Sequence, residues 1–244
     1  MGRALYDDIG DRYARSRKAD PVIAAMVLEA LDTARYVVSV GAGTGSCEPA
    51  SRKVVGIEPS SVMILQRPRS AAPVIRGIAE SLPLRSASFD AAIAILTIHH
   101  WSDPWTGLAE IRRVARRQIV LTFDPVLHCS HWLTHYVPEL VEHFRAVPPV
   151  DAIARAIKAR EVRVVPLAHD TPDGMTIAYW RRPEAYLDPE VRVGGSALRL
   201  VDPGALERGL RRLESDLSSG IWEDRHKELL GTEKMDYGLR LVVS

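Results

Sequence analysis

Three glycines at alternate positions, Gly41, Gly43 and Gly45, stand directly after the apolar run Tyr36-Val37-Val38-Ser39-Val40. A residue without a Cβ lets the backbone turn tightly and approach a ligand, so Gly41-Ala42-Gly43-Thr44-Gly45 reads as the floor of a nucleotide-type site. A dinucleotide site or a plain tight turn fits that stretch as well. Glu58 comes seventeen positions after Gly41, at the end of a second apolar run, Lys53-Val54-Val55-Gly56-Ile57. A carboxylate there can accept two hydrogen bonds from a vicinal diol such as a ribose. Two groups of imidazoles are placed to move protons: His99-His100, and His128, His131 and His135, which share a face if their segment is helical. Hydrogen-bonded structural histidines are the competing reading of the second group, and a zinc site is a weaker one, because no H-E-x-x-H or carboxylate pattern accompanies it.

The elements that must hold these residues can be read from apolar runs and their punctuation. Buried parallel strands appear as continuous β-branched runs, here 36–40, 53–58, 72–76, 89–96, 118–123 and 161–167, with 237–243 as a last, antiparallel strand. Pro21 opens a helix to about Leu31, Ser60 caps one starting at Ser61, and Pro104 starts another to about Ala115. Further helices are expected over about 150–159, 179–186 and 205–217. Only seven residues, Ser46 to Arg52, separate Gly45 from Lys53, and Pro49 lies among them, so a single helical turn is expected there. Ligands bind such sheets at the carboxyl ends of the strands, where the strand order reverses. His99 and His100 leave the fourth strand at that edge. Adjacent side chains on a strand diverge, so His100 is expected to face the cleft and His99 to turn towards structure.

Gly41-Ala42-Gly43-Thr44-Gly45, Glu58-Pro59-Ser60, Ala79-Glu80-Ser81-Leu82-Pro83, Ser88-Phe89-Asp90 and His99-His100-Trp101 stand in one order and spacing. Together they resemble the class I methyltransferases that use S-adenosylmethionine, in the small-molecule branch called type 11 or UbiE-like. The resemblance is firm over residues 1–124 and loose beyond. It implies an α/β, Rossmann-like, doubly wound seven-stranded sheet, mostly parallel with the last strand antiparallel, carrying helical lid insertions. Residues 1–244 would form one domain, with 1–125 the cofactor-binding half and 126–160 and 168–236 the lid and substrate segments. The cofactor would be S-adenosylmethionine, bound by Tyr13, Arg17, Gly41, Ala42, Gly43, Glu58, Pro59, Met63, Ala79, Glu80 and Thr97. Tyr13 and Arg17 belong to a leader segment that folds over the cofactor. They lie at i and i+4, and Arg17 can meet the methionyl carboxylate as a bidentate donor. Family members often carry a carboxylate or amide where this chain has Ile78, so adenine recognition falls to Glu80, to backbone near Ala79, or to water.

Methyl transfer from a sulfonium depends mainly on alignment, with a general base where the acceptor must lose a proton. His100, His99 and His131 are the catalytic candidates. The acceptor is expected to be a small molecule, with oxygen favoured over nitrogen or carbon. An NAD-dependent oxidoreductase is the first rival, but Ser46 stands where its third glycine belongs. A non-catalytic S-adenosylmethionine-binding regulatory protein is the second.

Composition narrows the alternatives. The net charge of +1 and the absence of a dense basic block argue against a nucleic-acid partner. Arg112, Arg113, Arg116 and Arg117 cluster at helical spacing, as a solvated face does. No apolar stretch is long enough to span a bilayer, and the amino end lacks a signal-peptide core. Cys47 and Cys129 form neither a zinc pattern nor a disulfide framework. A reduced, cytoplasmic protein without a metal is the expectation; oligomeric state is left open.

Overall fold

The computed structural model describes residues 4–244; residues 1–3 lie outside the described residues. Strands β1 (Tyr36–Val40), β2 (Lys53–Glu58), β3 (Val74–Arg76), β4 (Phe89–Ile95), β5 (Ala115–Phe123) and β6 (Glu161–Val164) join one sheet. Two short strands, β7 (Leu167–Ala168) and β8 (Lys234–Met235), pair with each other, and β9 (Leu239–Val243) returns to the main sheet. The seven-stranded order is β3-β2-β1-β4-β5-β9-β6. The β1–β5 pairings are parallel, and β9 runs antiparallel between β5 and β6. The order reverses between β1 and β4, so the crevice opens at the carboxyl ends of those two strands.

The two-residue period of the strands divides the core between the sheet's faces. Val37, Ile93, Ile119 and Leu121 pack on the helix Pro21–Leu31 and on the insertions. Val38, Val40, Ala92, Ala94 and Val120 pack on the helices Pro104–Val114 and Val150–Ile157. Asp20, Ser60 and Asp103 cap their helices with side-chain oxygens, as short polar residues do.

Four sequence expectations need correction. Between β1 and β2 there is no helical turn at all, only a run of tight turns. The expected sixth strand breaks at Pro166, which has no N–H to give a ladder, and Leu167–Ala168 leaves for the small sheet. The last strand starts at Leu239, because Gly238 at φ +88° still belongs to the turn. Residues 179–182 turn without forming a helix, and only a 3₁₀ turn, Pro183–Leu187, follows. The helix Ile221–Leu230 was not expected. Among the described residues, no helix is long and apolar enough to cross a membrane.

Candidate active site

The strand β1 ends in a backbone bend that only glycine tolerates. Gly41 has φ +69°, and the N–H groups of Gly41 and Ala42 both donate to the Ile57 carbonyl, at 2.9 and 3.0 Å. A Cβ on Gly41 would lie 2.0 Å from Thr97 Oγ1. Gly43, at φ +52°, donates its N–H to Glu58 Oε2 at 2.8 Å, while Ser60 N–H donates to Oε1 at 2.9 Å. The Glu58 carboxylate is thus clamped across the bend, 4% exposed, with lone pairs left for a further donor. Burial pushes its pKa up against the pull of those two N–H groups.

A buried ion pair does the work of the missing helix. Arg67 Nη2 donates to both Glu48 oxygens at 2.7 and 2.8 Å, and Nη1 donates to the Gly43 carbonyl at 3.0 Å. Both side chains are almost fully buried. The glycine loop is therefore held through its carbonyl by a charged pair, with no helix following it directly.

A cavity of about 360 Å³ lies over this bend. Tyr13, Gly41, Gly43, Glu58, Pro59, Met63, Ala79, Glu80 and Thr97 all line it, as does Ile78. Glu80 is fixed at the rim, where Ser102 O–H and Asp103 N–H donate to its Oε1 at 2.8 and 3.1 Å. A narrower cavity of about 60 Å³ continues on the other side of the bend, past Ala42, Arg17 and Tyr13. The Arg17 guanidinium lies 5.1 Å from the centre of the Tyr13 ring, so the i, i+4 pair meets although the helix Tyr13–Ser16 is a single turn. Arg17 is not free, however. Its Nε and Nη2 grip Asp173, an acid from the insertions that carried no sequence signal. Its Nη1 has only a long 3.4 Å bond to the Gly194 carbonyl.

Asp7 was also missed as a site residue. Its Oδ1 accepts from Ser60 O–H at 2.8 Å and from Ser61 O–H and Val62 N–H at 3.3 Å. Sitting at the start of the helix Ser61–Leu65, it pins the leader over the large cavity.

A third cavity of about 260 Å³ abuts the first, sharing Leu5, Tyr6, Leu96, His100 and Trp101 as a common wall. His99, His100 and His128 line it. The expected divergence of His99 and His100 does not hold, because Ile98–His100 is a 3₁₀ turn and not a strand; their ring centres are 3.9 Å apart. His100 Nε2 is 3.1 Å from Tyr6 Oη. Burial, with Arg17 nearby, lowers the His100 pKa to about 4. Burial likewise pulls His99 well below the usual range and takes His128 to about 4, so the three rings are neutral at pH 7.

His131 is a correction. It is completely buried, accepts from Leu133 N–H at its Nδ1 (3.1 Å), packs on Trp132 and Tyr237, and lines none of the three cavities. His128, His131 and His135 do not share a helical face, since two one-turn helices, Pro125–His128 and Leu133–Tyr136, replace the expected single one. Among the described residues no three His, Cys, Asp or Glu side chains are placed to hold a metal ion.

The comparisons with known proteins agree with this architecture. A family profile described as a methyltransferase domain, type 11, matches residues 38–123. A crystal structure from Anabaena variabilis, described as a candidate methyltransferase of an antibiotic biosynthesis pathway, is 33% identical; the match covers 94% of this chain and 98% of that one, with a TM-score of 0.88. The geranyl diphosphate C-methyltransferase of Streptomyces coelicolor, solved with S-adenosyl-L-homocysteine, shares the fold at 14% identity, with a TM-score of 0.52 and coverage of 91% and 77%. A rice (Oryza sativa subsp. japonica) chloroplast protein, 2-methyl-6-phytyl-1,4-hydroquinone methyltransferase 2, is 29% identical over 116 residues, 43% of this chain. The match spans only about a third of the length of such curated relatives. The cavity over the bend, its clamped carboxylate and the narrow extension past Arg17 have the room and the donor set for an adenosyl group and an amino-acid tail. With the whole-chain match and the type 11 profile, they establish that this chain belongs to the class I methyltransferases, type 11, whose cofactor is S-adenosylmethionine.

Proposed function

We propose that the chain transfers a methyl group from S-adenosylmethionine to a small-molecule acceptor held in the cavity lined by His99, His100 and His128, with oxygen ahead of nitrogen or carbon as the receiving atom. The observation that carries this reading is the wall shared by the two large cavities at Tyr6, Leu96, His100 and Trp101. The residues common to both cavities mark where an acceptor atom and the methyl sulfonium would have to meet for an in-line displacement. The cofactor, when bound, supplies an activated methyl group.

What remains for the protein is to bind, align and exclude water. Glu58 receives the ribose hydroxyls, Pro59, Met63 and Ala79 bracket the adenine with Glu80 at its edge, and Gly41, Ala42, Gly43 and Thr97 shape the floor. Tyr13 and the Nη1 edge of Arg17 face the methionyl end. Alignment of this kind is worth roughly 7–11 kcal/mol in favourable cases. His100, neutral and at the junction, takes the acceptor's proton once Tyr6 yields its hydrogen bond, and His99 backs it. Segments 126–160 and 168–236 act as the lid of a single domain, supplying Phe144, Met175, Ile177 and Leu200 to the acceptor cavity. A reduced, cytoplasmic setting goes with this reading, in keeping with two unpaired cysteines. The rice relative is named for a hydroquinone, an aromatic diol, and such an acceptor suits a cavity walled by rings.

Calorimetry tests the reading. S-adenosylmethionine and S-adenosylhomocysteine should bind the purified chain and NADH should not; tight NADH binding without the other two overturns it. Binding of the sulfonium with no turnover on any acceptor favours a regulatory protein. Glu58→Ala should weaken S-adenosylhomocysteine at least tenfold, from loss of a charged acceptor worth about 1.5–3 kcal/mol.

A further inference from the structure

The acceptor cavity has a wall of rings that runs from the cofactor side inward. Tyr6 meets His100 edge-on at 5.0 Å, His100 lies 3.9 Å from His99, and His99 lies 5.3 Å from Phe123. His128 is stacked on Phe123 at 3.9 Å with 18° between the planes, and Phe144 meets it edge-on at 4.5 Å. His100 borders both large cavities, whereas His128 borders the acceptor cavity alone. His128 therefore stands at the end remote from the methyl donor.

The protonation of His128 follows from one hydrogen bond. Its Nδ1 is 2.9 Å from the Tyr237 carbonyl oxygen. A carbonyl oxygen can only accept, so the proton of the neutral ring is on Nδ1, and Nε2 carries a lone pair. The stacking between Phe123 and Phe144 holds the ring in that orientation. His128 is 4% exposed, and its Nε2 has no hydrogen-bond partner among the described residues. That acceptor keeps some accessible surface, and His128 lines the cavity that a ligand would fill. Among the described residues, Arg17 is the one Lys, Arg, Asp or Glu side chain lining that cavity, and Asp173 neutralises it.

We propose that His128 selects the acceptor: its Nε2 receives a hydrogen bond from a hydroxyl at the far end of an uncharged aromatic substrate, while the atom to be methylated sits at the wall shared with the cofactor cavity. The ring wall gives such a substrate a flat surface to lie against, and the lack of an unpaired charge disfavours an ionic one. The substrate class is thus an aromatic with two separated polar substituents, of which only the one at His100 reacts. This inference rests on the methyltransferase reading, because it takes the cavity beside the cofactor as the acceptor site.

Two probes of one shape test it: 2,7-dihydroxynaphthalene, and its diether 2,7-dimethoxynaphthalene, which has no hydroxyl to donate. Each is titrated by calorimetry into the full chain saturated with S-adenosylhomocysteine. The diol should bind at least tenfold more tightly than its ether, and in His128→Phe that preference should fall about tenfold, the value of one good hydrogen bond. Equal affinities in the wild type, no binding of either probe, or a ratio undiminished in His128→Phe overturns the proposal. Failure of S-adenosylhomocysteine itself to bind the wild type overturns the methyltransferase reading instead, and this one with it. If His128→Phe does not fold, ¹⁵N NMR of the wild-type histidines decides. The lone-pair Nε2 of His128 should shift on adding the diol and not the ether, and an unmoved resonance overturns the proposal.

Discussion

Between Tyr36 and Ser60 the site is made largely of backbone: N–H groups and carbonyls from Gly41, Ala42, Gly43 and Ser60, organised by one clamped carboxylate. Between Val126 and Asp236 it is made of side chains, and these stand on a second core of large rings. Trp180 and Trp222 are fully buried there, Trp132 meets Trp222 and Tyr186 edge-on at 5.2 and 5.5 Å, and its Nε1 donates to the Trp180 carbonyl at 2.7 Å. The first region has to reproduce a fixed geometry for a ligand that does not vary. The second only has to enclose a volume, and many packings can do that. Fixed backbone geometry leaves glycine and cap signatures in the sequence; enclosure by rings leaves almost none.

Three substitutions and a pH series break that contrast if it is wrong. The largest effect is expected from Trp132→Ala, which opens the ring core of the insertions and should cost about 3–5 kcal/mol of stability by urea unfolding. The affinity of the folded variant for S-adenosylhomocysteine should change little, because Trp132 touches none of the cofactor cavity; a large loss of affinity would mean that the two regions are coupled.

Gly41→Ala comes next. An L-residue at φ +69° costs roughly 1–2 kcal/mol, and forcing a Cβ against Thr97 adds about 1–3 kcal/mol, so S-adenosylhomocysteine should bind about a hundredfold more weakly. Gly220→Ala sharpens the comparison. That glycine also has a positive φ, +76°, but nothing lies within 4 Å of its added Cβ, so only the conformational cost of about 1–2 kcal/mol should appear, in stability and not in ligand affinity.

The last test is a pH slope. His100 and His128 have pKa values near 4 in the folded protein and about 6.5 in the unfolded chain. Between those values the unfolded chain holds more protons, so stability is constant above pH 7 and falls as pH drops from about 6.5 towards 4. Each histidine contributes up to about 1.4 kcal/mol per pH unit, measurable as urea midpoints at pH 7, 6 and 5. His128→Phe should reduce the slope, and an unchanged slope would show that the ring is not buried in its neutral form. Turnover that uses neutral His100 should likewise stay level down to pH 6, with its acid limb nearer 4 than 6.5.

Much of the parallel half was legible because local chemistry and global role coincide there. Val37, Val38 and Val40 are β-branched and buried, Gly41 and Gly43 need a left-handed backbone, and Ser60 caps the helix that follows Glu58. The absent helix was read only in part. Pro49 and a seven-residue gap announced a shortened segment, but the pair Arg67–Glu48 that replaces it joins positions nineteen apart with no periodicity to link them. His99 and His100 were legible as residues and misread in direction, because a 3₁₀ turn obeys neither strand nor helix spacing. His131 had the type and spacing of a base, and its burial under Tyr237 could not be seen from its neighbours in the chain.

By itself the sequence determined where the chain bends, which acid faces that bend, and in what order the strands are made, because these depend on residues close in the chain and on the intrinsic freedom of glycine and proline. Tertiary structure alone decided that Asp173 holds Arg17, that Glu48 is buried against Arg67, and that His128 presents a lone pair while His131 presents nothing. Those outcomes depend on which charged or polar atom is desolvated beside which partner, and desolvation is a property of the packed whole.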